Sequence, residues 1–262
     1  MPFLGKQPAE AALVTGDLGD DIVTEAKVAN DAIGLTELKA GTDGEIISWD
    51  ASGDPVAIGV GTSGHFLKSQ GAGSQPVFAA AGGAWNVIGT SVASNSASLT
   101  ITGLDSTYDT YAIGLSDLIP ATDGVVPWMR VGDSSGIDSG STDYEHFTNA
   151  LYGGNAAPTN TTSGGDTKII LWSTADGDTV GSASGEGFGG GILYLHQPGD
   201  SSQWSQITGT TCGIGAGSGQ SVIGNAVMGT RRAVITLDRV QFLFSSGNIT
   251  SGRMTIWGIA HA

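Results

Sequence analysis

The chain has 262 residues, 43 of them glycine, and only 13% are charged; Asp and Glu outnumber Lys and Arg by 25 to 10, for a formal charge of −15. Nucleic-acid backbones and anionic membrane surfaces are held by clustered cations, so this composition argues against both as partners. No apolar stretch approaches the ~20 residues of a membrane span, and the single Cys212 excludes an intramolecular disulfide framework.

Glycine lies far above its usual share of about 7% and charge well below the typical ~25%, a β-rich and loop-rich profile. Disorder is the competing reading, but six Trp, seven Phe and five Tyr stand in runs such as Ile192-Leu193-Tyr194-Leu195 and Val240-Gln241-Phe242-Leu243-Phe244, which predicts a folded core. The opening Met1-Pro2-Phe3-Leu4-Gly5-Lys6-Gln7-Pro8 has neither the basic nor the continuous apolar part of a secretory signal, so synthesis in the cytoplasm without Sec-type export is expected.

Residues 1 to about 40 carry Ala, Asp, Glu and Lys at helical or irregular spacing. Val23-Thr24-Glu25-Ala26-Lys27-Val28 is echoed by Leu35-Thr36-Glu37-Leu38-Lys39-Ala40. In each, Thr is placed to cap a helical turn and Glu to meet the positive end of its peptide dipoles. Such short turns do not stand alone in water and would be buried about a twofold or threefold axis.

Residues 41–80 hold a clearer duplication. Gly41-Thr42-Asp43-Gly44-Glu45-Ile46-Ile47-Ser48-Trp49 is followed by Gly61-Thr62-Ser63-Gly64-His65-Phe66-Leu67-Lys68-Ser69, and each copy runs on to a Gly and a Pro. Each predicts a hairpin-like unit too small to bury a core, so it needs neighbours or other chains. Ala79-Ala80-Ala81-Gly82-Gly83-Ala84 reads as a linker of small residues.

From about Trp85 onward, short apolar runs are separated by Gly, Asp, Ser and Asn. Strands are expected at Trp85–Thr90, Ser98–Thr102, Tyr108–Ser116, Pro127–Val131, Tyr144–Leu151, Lys168–Trp172, Gly191–His196, Gln206–Gly213, Arg232–Leu237, Val240–Phe244 and Arg253–Ile259. This spacing is that of an antiparallel sandwich or jelly roll. Val240, Phe242 and Phe244 fall on one face of their strand; apolar residues on both faces near the chain end predict a strand covered on both sides, by the second sheet and by a neighbouring subunit.

Candidate chemistry is sparse. In Asp143-Tyr144-Glu145-His146 a strand would put His146 opposite both carboxylates, so the three would not converge on a metal or act as an acid/base pair. Asp105-Ser106-Thr107, Asp133-Ser134-Ser135 and Asp176-Gly177-Asp178 offer hard oxygen ligands without a full calcium loop, and turn-making through their own backbone is the favoured reading. The glycine runs at 185–191 and 213–219 lack the Lys-Ser/Thr and the helix of a phosphate loop and read as turned or flexible loops. Cys212 reads as a small buried or half-buried strand residue. Trp204 and Tyr152, at loop edges, are the candidate receptor contacts, because exposed aromatics stack on sugars and other ligands; packing on the sandwich rim competes with that role. No cofactor, metal site or catalytic set is expected.

The opening octapeptide, the Thr-Glu-x-Lys echo and the Gly-Thr-x-Gly repeat running to Leu67-Lys68-Ser69-Gln70-Gly71-Ala72-Gly73 resemble bacteriophage tail-fibre proteins and their linker repeats. Three later segments resemble a β-rich domain of phage tail and virion-surface proteins: Ser98-Leu99-Thr100-Ile101-Thr102-Gly103-Leu104-Asp105, Met129-Arg130-Val131-Gly132-Asp133-Ser134-Ser135-Gly136, and Phe242-Leu243-Phe244-Ser245-Ser246-Gly247-Asn248. The resemblance implies a homotrimeric, non-enzymatic virion component, made in the host cytoplasm. It implies a virion-attachment segment over 1–40 with Phe3 and Leu4 as docking residues, a neck over 41–80, and a distal, jelly-roll-like sandwich over 81–262. The attachment segment would bind a tail or capsid protein, and the distal domain would contact a host-surface glycan or protein without nucleic-acid binding or membrane insertion. A short tail fibre is the first reading; a head fibre or capsid decoration protein is the second, since one duplication makes a short neck. A polysaccharide depolymerase is the third.

Overall fold

The structure is a computed structural model that describes residues 19–20, 22–29, 32–33, 40–80, 83–153, 157–175, 177–216 and 221–260. It is mainly β, with large antiparallel sheets, and divides into two compact units, Met1–Ala81 and Gly82–Ala262. Phe3, Leu4 and most of the second Thr-Glu-x-Lys echo lie outside the described residues. The first echo forms a 3-10 turn at Glu25–Lys27 with Glu25 in its first turn, but the Thr24 side chain makes no capping hydrogen bond.

The duplicated unit is two hairpins: β1 (Ile46–Trp49) with β2 (Pro55–Ile58), and β3 (His65–Lys68) with β4 (Val77–Ala80). The repeat reaches down to the backbone. Thr42 O accepts from Glu45 N–H at 3.1 Å, Thr62 O accepts from His65 N–H at 2.9 Å, and the intervening Gly44 and Gly64 both have φ of +87°. A left-handed residue at that turn position is what glycine permits without a Cβ clash. Asp50 closes the first hairpin by accepting from the Ser52 and Asp54 N–H groups. Ile58 is the one buried large apolar side chain among the described residues of this unit, whereas Trp49 and Phe66 are each 64% exposed.

The second unit holds two sheets. The larger runs β11-β10-β15-β14-β13-β7-β17-β5, made from Thr159–Asp166, Tyr144–Tyr152, Val222–Arg231, Gln206–Ile214, Gly187–His196, Thr110–Pro120, Ile249–Ile259 and Trp85–Val92. The smaller runs β12-β8-β16-β6, from Ile169–Ile170, Pro127–Asp133, Arg239–Phe244 and Leu99–Thr102, with the short β9 (Gly136–Ile137) added to β8. The chain alternates between sheets through β5, β6, β7 and β8, and again through β15, β16 and β17. One buried cluster contains the inward residues of both sheets, including Ile113, Leu193 and Ile256 from the larger and Leu99, Met129, Val240 and Phe242 from the smaller. Val240, Phe242 and Phe244 all point into it, as their alternation predicts.

Three expectations are overturned. Arg232–Leu237 is irregular, with Ala233 N–H bonded to Arg231 O and Leu237 N–H to Pro198 O; the strand precedes it at Val222–Arg231, where Gly224, Asn225 and Gly229 dilute the apolar alternation. The glycine run expected as loop is the first half of β13. A Cβ on Gly190 would lie 2.0 Å from Leu115 O and one on Gly191 2.1 Å from Thr210 O, so bare backbone is what lets β7 and β14 flank it. Cys212 lies in a strand, but on an exposed surface.

Two buried tyrosines fasten the loops preceding their strands. Tyr111 Oη accepts from Asp105 N–H at 3.0 Å and lies 3.1 Å from Asp105 O; Tyr144 Oη accepts from Val131 N–H at 2.9 Å and lies 2.8 and 3.0 Å from the Val131 and Asp138 carbonyls. Burial pushes both phenols up, Tyr111 to about 12. Tyr144→Phe should destabilise the sandwich by about 1–3 kcal/mol, because it strands the buried Val131 N–H of β8, as measured by urea unfolding.

Candidate attachment groove

The outer surfaces of the two sheets differ in chemistry. That of the smaller sheet is polar and charged: Lys168 Nζ sits 4.7 Å over the Trp128 ring, Arg130 Nε donates to Thr167 O, and Gln241 bonds Ser98 and Thr100. On the larger sheet the two central cross-strand rows are apolar or neutral. One row runs Phe147, Met228, Thr208, Tyr194, Ala112, Trp257 and Val87; the next runs Asn149, Ala226, Thr210, Ile192, Gly114, Thr255 and Thr90.

At the β10–β15–β14 end of this surface lies an open groove of about 330 Å³, lined by Glu145, Phe147, Trp204, Gln206, Thr208, Met228 and Thr230 among others. Trp204 reaches it from the loop between β13 and β14. Asp200 shapes that loop by accepting from Ser202 N–H at 2.7 Å, Ser202 Oγ at 2.6 Å and Gln203 Nε2 at 3.3 Å. The Ser202 bonds hold the Asp200 carboxyl below its ordinary range. On the other flank Ser205 is clamped: its Oγ donates to Gln197 O, and Thr230 Oγ1 donates to Ser205 O at 2.9 Å. Between these anchors the Trp204 side chain stays 44% exposed.

Arg232 braces the indole. Its guanidinium stands 5.9 Å from the Trp204 ring centroid, Nε is 3.9 Å from Glu145 Oε2, and Nη1 donates to Gly164 O. The neighbouring Arg231 faces the other way into a half-buried cluster, 2.7 Å from Asp138 Oδ2 and 3.2 Å from Asp143 Oδ1, beside the Tyr144 ring. Asp143 is therefore taken up by Arg231 and by Gly140 N–H, Glu145 faces the groove, and His146 is buried on the opposite side at 4% exposure. The three do not converge, as their alternation predicts.

Tyr152 ends β10 half-buried against the core, with its hydroxyl 2.6 Å from Thr159 Oγ1; the structure places it on the sandwich rim and does not bring it into the groove with Trp204. Sequence reasoning missed Arg232 and Glu145 as companions of Trp204. Two of the three Asp-rich loops are turns in which the carboxylate accepts local donors, Asp105 from Thr107 N–H and Asp133 from Ser135 N–H and Oγ, while Asp176 of the third lies outside the described residues. Those bonds hold both carboxyls below the ordinary range. Among the described residues no three His, Cys, Asp or Glu side chains are grouped to hold a metal, and no helix is long and apolar enough to cross a membrane.

Comparison with known proteins returns no match to this chain, whether against family models, curated proteins or solved structures.

Burial holds the His146 imidazole below its ordinary range. Below the unfolded value of about 6.5 the unfolded chain takes up a proton that the folded chain refuses, so stability should fall as pH drops from 7 toward 5, by up to about 1.4 kcal/mol per unit. His146→Leu should flatten that slope in urea titrations at pH 7, 6 and 5, a window above the range of Asp166, whose carboxyl burial raises but the Lys168 ammonium, 2.5 Å away, lowers overall.

Proposed function

We propose that this chain is a non-enzymatic structural component of a phage virion, a short homotrimeric tail fibre whose distal β domain contacts the host surface. The observation that carries the attachment reading is the groove at Trp204. An indole face is held open to solvent by Arg232 and ringed by Glu145, Gln206, Thr208 and Thr230, which is an apolar platform with a few convergent polar groups. A glycan hydroxyl array or a polar peptide fits such a site, and repetition of the site in a trimer raises avidity without adding contacts. Glycoside hydrolysis uses two carboxylates across the scissile bond, whereas Glu145 is the one carboxylate lining this groove; that favours binding over a depolymerase.

The strand order supports a jelly-roll-like reading of the distal domain. The four strands β13-β7-β17-β5 of one sheet and β12-β8-β16-β6 of the other are reached by a chain that alternates between sheets, and β10, β11, β14 and β15 widen the first sheet as added hairpins. That architecture recurs in viral capsid and lectin domains. The two coreless hairpins over 41–80 suit a neck whose apolar side chains are covered by other copies, and residues 1–40 would dock to a tail or capsid protein. Because the neck has only two hairpins, a head fibre or capsid decoration protein is the second reading. Cryo-EM of the particle separates the two, with density on the capsid shell overturning the tail location.

Trp204→Ala in the labelled full-length chain should lower binding to host cells at least tenfold with an unchanged melting temperature. Undiminished binding would remove the groove from the attachment reading.

A further inference from the structure

The groove takes one end of the larger sheet's outer surface; the other end, β13-β7-β17-β5, has no covering element among the described residues of its own unit. Its side chains form an apolar layer. Trp85 packs against Trp257 at 5.8 Å and against Tyr194 at 6.4 Å, the Trp257 ring lies over Gly114 of β7, and Val87 and Val92 stand 65% and 67% exposed. Arg253 is the one charged member of the rows that cross these strands, and the exposed Asp117 of β7 stands in the same pocket beside it.

The edge adds a second anomaly. Exposed edge strands are normally blunted by Lys, Pro, shortness or a covering loop, because their free N–H and C=O groups template aggregation. The opposite edge of the same sheet, β11, reads Thr-Asn-Thr-Thr-Ser-Gly-Gly-Asp, polar throughout. β5 reads Trp-Asn-Val-Ile-Gly-Thr-Ser-Val over eight residues, with no charge and no proline.

We propose that the outer surface of the β13-β7-β17-β5 half, with the β5 edge, is where copies of this chain associate. The inference rests on the oligomeric reading above and adds the surface that serves it. Charge selects the occupant. A chain carrying −15 attracts foreign partners through acidic patches and repels its own copies everywhere except where charge is absent. The two charged side chains of this surface, Arg253 and the exposed Asp117 of β7, line one pocket beside Val92 and offset each other, so it carries no net charge and suits a partner of the same charge, namely another copy. The 41–80 hairpins of the same chain also lack a core of their own, and one set of identical partners covers both. Size agrees: four strands about 4.8 Å apart and about ten residues long, at ~3.3 Å per residue, present on the order of 600 Å² in projection. That approaches the ~800 Å² each partner gives a standard interface and reaches the top of the range for exposed apolar patches on monomers.

The test uses the full chain and two readouts. In sedimentation at micromolar concentration the wild type should be oligomeric, and Val87→Glu/Ile192→Glu should weaken association roughly a hundredfold or more, since each copy then buries carboxylates with no cation in their cross-strand rows. Val234→Glu, at an exposed position away from this surface, should leave association unchanged. Hydroxyl-radical footprinting of the wild type needs no variant to fold: Trp85 and Trp257 should be protected in the oligomer and become oxidised on dilution, while Trp204 is oxidised throughout. A wild-type monomer would overturn both this inference and the trimeric fibre. An oligomer that keeps its affinity with both glutamates, or that leaves Trp85 and Trp257 oxidised, would overturn this surface while the fibre reading stands on its neck.

Discussion

The second unit depends on one contact between its sheets. Phe188 of β13 stacks on Phe242 of β16 with ring centroids 5.8 Å apart; Trp172 packs edgewise on Phe188, and Phe244 edgewise on Phe242. All four side chains are buried. Each such ring contributes about 1.5–3 kcal/mol by burial, and aromatic pairs add about 0.5–1.5 kcal/mol. Because Phe188 and Phe242 belong to different sheets, this chain of rings also sets how the sheets face each other. Phe188 sits among glycines, and Gly190 and Gly191 let the backbones of β7 and β14 close on β13 where any side chain would collide.

Once the inward faces are committed to that core, polar chemistry falls on the smaller sheet and the loops. Asp105, Asp133 and Asp200 spend their carboxylates on neighbouring N–H groups, and Arg231 ties Asp138 and Asp143 to the end of β15. The loop carrying Trp204 is rigid for the same reason: one Asx turn before the indole and one clamped serine after it leave the ring exposed in a fixed place. The apolar exterior of the larger sheet at its β13-β7-β17-β5 end stays exposed because no second layer lies over it among the described residues of its own unit.

Much of this was legible along the chain. Strands β7, β8, β10, β14, β16 and β17 overlap the apolar runs that predict them, and the twin Gly-Thr-x-Gly turns repeat with the same glycine φ and the same turn hydrogen bond. β11 and β15 were not legible, since β11 is polar throughout and the alternation of β15 is broken by small residues. Both are held by neighbours on the ladder, where a strand gains hydrogen bonds and cover that no local window records. The glycine run of β13 failed for the same reason: glycine signals a turn by its freedom, and here its lack of a side chain matters instead. In the groove, Trp204 was readable as an aromatic in a polar loop, whereas its partners were not.

Sequence alone determined the mainly β character, the repeated hairpins and the turn chemistry of the Asp105 and Asp133 loops, because alternation, left-handed glycines and short-range side-chain bonds act over a few residues. Tertiary structure decided which strands share a sheet, that Tyr152 packs on the rim while Trp204 meets Arg232 and Glu145, and that one sheet keeps an apolar outer surface. Those outcomes depend on pairing between segments far apart in the chain, where register is set by the sum of many contacts and no single stretch carries the information.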